Sequence, residues 1–243
     1  MQRSTQSQRT LGALLFALGV LLTLSLGAVA IWGDLEASLF DTAIQAEESL
    51  SSLRCPVMIT RDEMGEISAR FENSGTRPVN RAIRAHISQG YVTLYREEVL
   101  QLPLQPGESQ RWTFGVTAED AAFGSSLILA RVSTLRQAPM PSQSRACGII
   151  VLGIPWVSGA VVTGAWLALG LLGIVGGGWL WVRASRPLTG RRSHVAYAMT
   201  AIAVLTLAVL AAGLAGAWVL GVLLLALWVL MMIAVATQAI LDD

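Results

Sequence analysis

From Val195 to Leu241 the chain runs for 47 residues without one charged side chain. A single helix of that length, at about 1.5 Å per residue, would reach about 70 Å, more than twice the roughly 30 Å of a bilayer's hydrocarbon. The stretch must therefore fold back, and Gly213 to Gly216 is where helix-breaking residues allow the turn. Two spans follow, 195–212 and 217–240. Two earlier runs have the same character. Leu11 to Trp32 is 22 uncharged residues, long enough to cross once. The apolar stretch after Cys147 is too long for one helix, and Pro155 divides it, because proline is favoured in a first helical turn. The second span is thus expected over 155–182. With 53% of its residues apolar and only 14% charged, against about 25% charged in a soluble domain, the chain reads as an integral membrane protein.

The charges that remain are segregated. All 17 basic residues are Arg. Arg3 and Arg9 lie in the polar N-terminal segment 1–10, and Arg183, Arg186, Arg191 and Arg192 in the short segment 183–194. Short Arg-rich segments beside apolar spans stay in the cytoplasm. Between Gly33 and Pro155, eleven Arg face fourteen acidic residues, so segment 33–154 is expected outside the plasma membrane, with both termini inside. Nothing in this distribution suggests nucleic acid. The first span is either a retained anchor or a signal peptide cut after Ala28-Val29-Ala30; its length exceeds the roughly 7 to 15 apolar residues of a signal core, which points to the anchor. From Asp34 to Arg54 apolar residues recur at Leu35, Leu39, Ala43, Ala46, Leu50 and Leu53, the stripe of an amphipathic helix. A stalk helix is expected over 33–54, resting on the following domain or docking another subunit.

Segment 55–152 reads as short strands separated by turn chemistry. Ile67, Ala69 and Phe71 alternate with Ser68, Arg70 and Glu72, and Asn73-Ser74-Gly75 supplies a turn. Val79, Ile83, Ala85 and Ile87 continue the alternation, with Arg81 interrupting it and His86 falling on the wet face. Tyr91–Tyr95 and Val99–Leu104 read as two further strands, closed by Pro106-Gly107-Glu108-Ser109. Trp112, Phe114 and Val116 point one way, and Leu127–Val132 is apolar enough to be central. Strands at this spacing with Gly and Pro turns suggest a two-sheet sandwich. In Ile67 to Gly75, and in Leu102 through Pro106-Gly107-Glu108 to Trp112-Thr113-Phe114, the domain resembles the bacterial immunoglobulin-like modules of the CARDB and fibronectin-type group. The resemblance covers residues 55–152 and implies a module that binds or spaces rather than catalyses. The fold expected is α+β: four transmembrane helices, with an extracytoplasmic immunoglobulin-like β-sandwich between helices 1 and 2.

Cys55 and Cys147 are the only cysteines and bracket the domain. Both ends of the domain are tethered near one membrane face, so the thiols should meet, and an exported compartment lets them oxidise. The alternative is two free structural cysteines. Gly173 and Gly177 form a small-xxx-small pair suited to close helix packing within the bundle, or to homodimerisation. The expected spans have no ionisable residue at depth, where ion and proton pathways almost always need one; Thr163, Thr200, Thr206 and Gln238 read as interhelical hydrogen-bonding groups. His86 and His194 lack a second ligand at metal spacing. Asp62, Glu63 and Glu66 around Gly65 read as a solvated turn rather than a Ca²⁺ site. No nucleophile, base and orienting acid can be assembled outside, so no catalytic residue, cofactor or metal is expected. The functional expectation is a non-enzymatic docking or scaffold protein whose partners are membrane lipid and a membrane or extracytoplasmic protein. The alternatives are an accessory subunit of a transporter or respiratory complex, or a lipid- or glycan-binding membrane enzyme that uses the membrane-facing edge of the sandwich or the cytoplasmic Arg cluster to bind a lipid-linked substrate.

Overall fold

In the computed structural model the described residues are 2–44, 46–124, 126–137 and 140–241; Asp242 and Asp243, and the side chains of Arg3, Arg191 and Gln238, lie outside them. The architecture is α+β, with four helices that are each long and apolar enough to cross a membrane and a mixed β-sheet. Helix α1 (Gln2–Leu39) is followed by strands β1 (Glu48–Ser49), β2 (Met58–Thr60), β3 (Gly65–Glu72), β4 (Val79–Gln89), β5 (Tyr91–Leu104), β6 (Ser109–Val116), β7 (Leu127–Thr134) and β8 (Gln143–Leu152). Helices α2 (Gly159–Ser185), α3 (Arg191–Leu214) and α4 (Trp218–Leu241) complete the chain. It divides into two compact units. One is Trp32–Val162; the other runs to Ile31 and resumes at Thr163.

The order of elements departs from the expected one after the first span. Among the described residues no separate stalk helix occupies 33–54. Helix α1 continues to Leu39, and the described residues of 40–54 are turn, loop, the short strand β1 and one end of the Arg54↔Ser68 bridge. The cause is local. Asp41 takes a left-handed backbone conformation (φ 49°), which Asp tolerates better than most residues, and the helix cannot propagate through it. Leu50 and Leu53 are buried as the stripe suggested, but from the two ends of a turn in which Leu53 N donates to Leu50 O, while Leu39 of the same stripe is exposed.

In the unit Trp32–Val162, six strands form one sheet in the order β1-β8-β7-β4-β5, with β2 also pairing β8. Strands β1 and β2 run parallel to β8, from Glu48↔Gln143 and Met58↔Ile150; the other pairs are antiparallel. Strand β7 sits between β4 and β8, as its apolar run implies. Strands β3 and β6 form a second, two-stranded antiparallel sheet, from Gly65↔Val116 to Glu72↔Ser109. The expected break between Tyr95 and Val99 does not occur, because β4 pairs continuously from Tyr95 to Leu104. Ile67, Ala69 and Phe71 of β3 and Phe114 and Val116 of β6 share a core with Ile83, Ala85 and Ile87 of β4 and with residues of β5, β7 and β8. The opposite face of the large sheet is covered near Leu127 and Leu129 by Ala37 and Phe40 from the end of α1. Arg81, which interrupts the alternation, is nevertheless part of the ladder between β4 and β5, opposite Leu102. It lies on the core side, 3% exposed, and donates to Thr134 Oγ1, Pro141 O and Gln143 Oε1.

The helical unit is built on close backbone contact. A Cβ on Gly19 would lie 2.4 Å from Ile174 N, and one on Gly12 2.7 Å from Trp181 N, so α1 and α2 approach only because both positions are glycine. On the α3 side a Cβ on Gly213 would lie 2.8 Å from Gly27 O. Trp166 Nε1 donates to Leu22 O at 3.0 Å, and Trp228 Nε1 to Thr206 Oγ1 at 2.9 Å. Thr206 thus bonds across helices, whereas Thr200 bonds Ala196 O within its own helix.

Candidate interaction surface

Strand β5 is the free edge of the six-stranded sheet. Gly90 (φ 74°) makes the tight turn from β4 that a side chain would disfavour. The ladder then slips: Gln89 pairs Tyr91 while Ser88 pairs Tyr95, leaving Val92, Thr93 and Leu94 without β4 partners. Tyr91, Val92, Leu94, Tyr95 and Val99 are all exposed, Tyr91 at 70%. Among the described residues no strand pairs the outer side of β5. Its middle is held firmly. Arg96 Nε and Nη2 donate to the two carboxylate oxygens of Asp120 at 2.8 and 3.2 Å, and Nη1 pairs with Glu98. The hydrogen bond to Asp120 holds the Arg96 guanidinium above its ordinary pKa, against its partial burial. The surface is an apolar edge on a fixed strand, the arrangement that invites strand or side-chain docking.

Behind this edge lies a polar cluster that the sequence did not reveal. His86, expected on a wet face, is only 6% exposed because Phe40 and Asp41 cover that face. Its Nδ1 is 2.5 Å from Asp41 Oδ2, and its Nε2 is 3.4 Å from Glu97 Oε1. The ring stacks on Tyr95 (centroids 4.4 Å apart), and Tyr95 meets Phe40 edge-on at 6.3 Å. On the neighbouring strand Arg131 donates from Nε to Phe40 O at 2.8 Å and from Nη2 to Ser38 O at 2.9 Å. These are end-of-helix carbonyls that lack intrahelical partners, and a cation there also complements the helix dipole. Burial lowers the Arg131 pKa, and the charge of Asp41 opposes that shift. Chemically the group is a clamp. The Nε2 atom itself is closed to solvent. The signals were there singly, as Asp41 and His86, but 45 residues of sequence separate them.

The other residues singled out from sequence fall as follows. Cys55 and Cys147 form a disulfide, Cα atoms 6.5 Å apart; Cys147 is in β8 and Cys55 in the loop before β2. A Cβ on Gly173 would lie 2.6 Å from Gly19 Cα, and one on Gly177 2.3 Å from Phe16 N, so both face α1 of the same chain. The Arg183 guanidinium lies 5.2 Å from the centre of the Trp179 ring. Arg192 donates to Ser185 O at 3.5 Å, and Arg9 to Ala184 O at 2.7 Å, both at the carbonyl end of α2. Arg186 and His194 are exposed. Glu63 is not a solvated turn residue: its Oε2 accepts from Thr60 N at 3.1 Å and from Gly159 N, the first amide of α2, at 2.6 Å. An anionic group suits a helix N-terminus. Among the described residues no three His, Cys, Asp or Glu side chains converge as metal ligands. A cleft of about 500 Å³ lies between Arg61, Ala118, Glu119, Gly124, Val151 and Gly153.

No protein-family model and no curated protein matches the chain. Solved structures are similar over less than half of it. A Paenibacillus sp. cycloisomaltooligosaccharide glucanotransferase is 11% identical over 44% of this chain and 14% of its own, with a TM-score of 0.33. A Listeria innocua β-glucosidase is 15% identical over 45% and 16%, TM-score 0.30. A CARDB domain from Pyrococcus furiosus, solved with di-metal ions, is 16% identical over 41% of this chain and 89% of its own, TM-score 0.29. The match thus spans about a sixth or less of each enzyme's length, and at these scores none of the likenesses assigns an activity.

Proposed function

We propose that this chain is a non-enzymatic multi-pass membrane protein that displays its β-domain outside the cell membrane as a docking or scaffold module for a protein partner. The observation that carries the proposal is β5, an edge strand whose outer side no described strand pairs and which exposes five large apolar side chains. Isolated exposed apolar residues are ordinary, but four within the five residues Tyr91–Tyr95 of an edge strand mark an interaction site or an aggregation hazard. The four apolar helices support the membrane reading. The Arg residues at 183, 186, 191 and 192 support a cytoplasmic position for the segment between α2 and α3. The disulfide supports an oxidising compartment for the domain. The domain itself is read as an immunoglobulin-like module of the CARDB and fibronectin type, on its alternating strands, its Gly and Pro turns and the core shared by its two sheets.

The test is co-purification from native membranes in mild detergent, comparing the natural chain with Leu94→Arg/Val99→Arg. Both side chains are exposed, so the substitutions leave the core untouched. A stoichiometric protein that accompanies the natural chain and is lost from the double variant supports docking through β5. A chain that purifies alone in both cases counts against it.

A further inference from the structure

The six residues from Gly153 to Ser158 join β8 to α2. Three of them, Ile154, Trp156 and Val157, are large, apolar and exposed, and Trp156 is 95% exposed. Trp156 also has φ 73°, a conformation that a bulky L-residue adopts only at a cost in strain. Burial of the indole within the chain does not offset that cost. Nor is the loop a frayed end. Leu152 pairs with Thr60, Gly159 N donates to Glu63, and a Cβ on Gly159 would lie 2.2 Å from Met58 O. Pro155 restricts its own backbone and holds Ile154 extended. The loop is thus built to project Trp156 outward, and Trp156 is three residues from the start of a 27-residue apolar helix. Tryptophan, apolar in body with one N–H at its rim, is the side chain that concentrates at the boundary between lipid headgroups and acyl chains.

We infer that Gly153–Ser158 is a lipid-interface anchor, with the Trp156 indole seated among phospholipid headgroups and Ile154 and Val157 beside it, fixing the depth at which α2 enters the membrane. The inference rests on the membrane-spanning reading above. Its partner is a phospholipid surface, and capture of the loop by a protein is an outcome that the test separates.

The probe is tryptophan emission of the full chain in lipid nanodiscs containing phospholipid brominated either near the headgroup or deep in the acyl chain. The signal of Trp156 is the difference between the natural chain and Trp156→Phe. Quenching of that difference by shallow bromine, and less by deep bromine, is the expected result. Should Trp156→Phe fail to insert, Trp156→Tyr, which keeps an interfacial ring, supplies the same difference. If the difference emission is quenched by neither lipid while the tryptophans of α2 and α4 are quenched, the loop is in water or under protein and the anchor is overturned. Stronger quenching by deep bromine overturns it as well. If no tryptophan of the chain is quenched, the membrane-spanning reading itself fails.

Discussion

Arg131 and Gly148 each join the large sheet to the end of α1. Arg131 is the donor for two carbonyls at the end of α1, Ser38 O and Phe40 O. A hydrogen bond from a charged donor is worth about 1.5 to 3 kcal/mol. Arg131→Met keeps most of the stem but removes both bonds, and should lower stability by at least about 2 kcal/mol in denaturant unfolding. Arg131→Lys, with one ammonium in place of a two-pronged guanidinium, should recover part of the loss. Gly148 tests packing instead of charge. A Cβ there would lie 2.1 Å from Gly33 O, against helix backbone that cannot give way, whereas a Cβ on Gly153 would meet nothing within 4 Å. Gly148→Ala should cost about 1 to 3 kcal/mol or prevent folding, while Gly153→Ala stays within about 0.5 kcal/mol. Equal midpoints for the two variants would show that α1 and β8 do not touch there. None of these roles was legible in sequence. Arg131 lies 91 residues from Phe40, and Gly148 over a hundred from Gly33, so no local pattern joins them.

At the scale of elements, what could be read was what local chemistry dictates. The turn at Asn73-Ser74-Gly75, the alternation of Ile67, Ala69 and Phe71, and the break between α3 and α4 at Gly213 to Gly216 are written in consecutive residues. The parallel pairing of β1 and β2 with β8 was not, because it joins segments more than 90 residues apart and leaves no mark on either. The end of α1 is hidden for a different reason. The spacing of Leu35 and Leu39 suits a helix, but the helix stops before Asp41, whose left-handed backbone leaves no mark on the apolar spacing. Two element-level results are expected. Opening the Cys55–Cys147 link, which spans 92 residues, should lower domain stability by roughly 4 to 5 kcal/mol in the chain-entropy picture, seen as a lower denaturant midpoint for Cys55→Ser/Cys147→Ser. In the helical unit Gly173→Leu should separate α1 from α2 and lower the thermal midpoint in detergent, whereas Gly176→Leu, at a position that meets nothing within 4 Å, should not. Matching losses for both would place the α1 contact elsewhere.

For the whole molecule, charge and hydropathy divide the labour. The helices carry the apolar residues, and the unit Trp32–Val162 carries all fourteen acids that precede the C-terminal pair. Polar chemistry within that unit is spent on holding elements together: Arg96 on Asp120, Arg131 on the end of α1, Glu63 on the first amide of α2. Among the apolar side chains that the domain leaves exposed are those of β5 and of the loop at Trp156. We propose two different partners for them, a protein and a lipid surface. Site-specific photo-crosslinking in cells tests the docking role most directly. A photo-reactive residue would be placed in turn at Tyr91, Leu94 and Val99 on β5, and at Arg70 and Gln110 on the small sheet as controls. The expected result is one discrete protein adduct from the three β5 positions and none from the controls. Adducts of equal yield from both sets, or none from β5, would contradict a docking role for this strand.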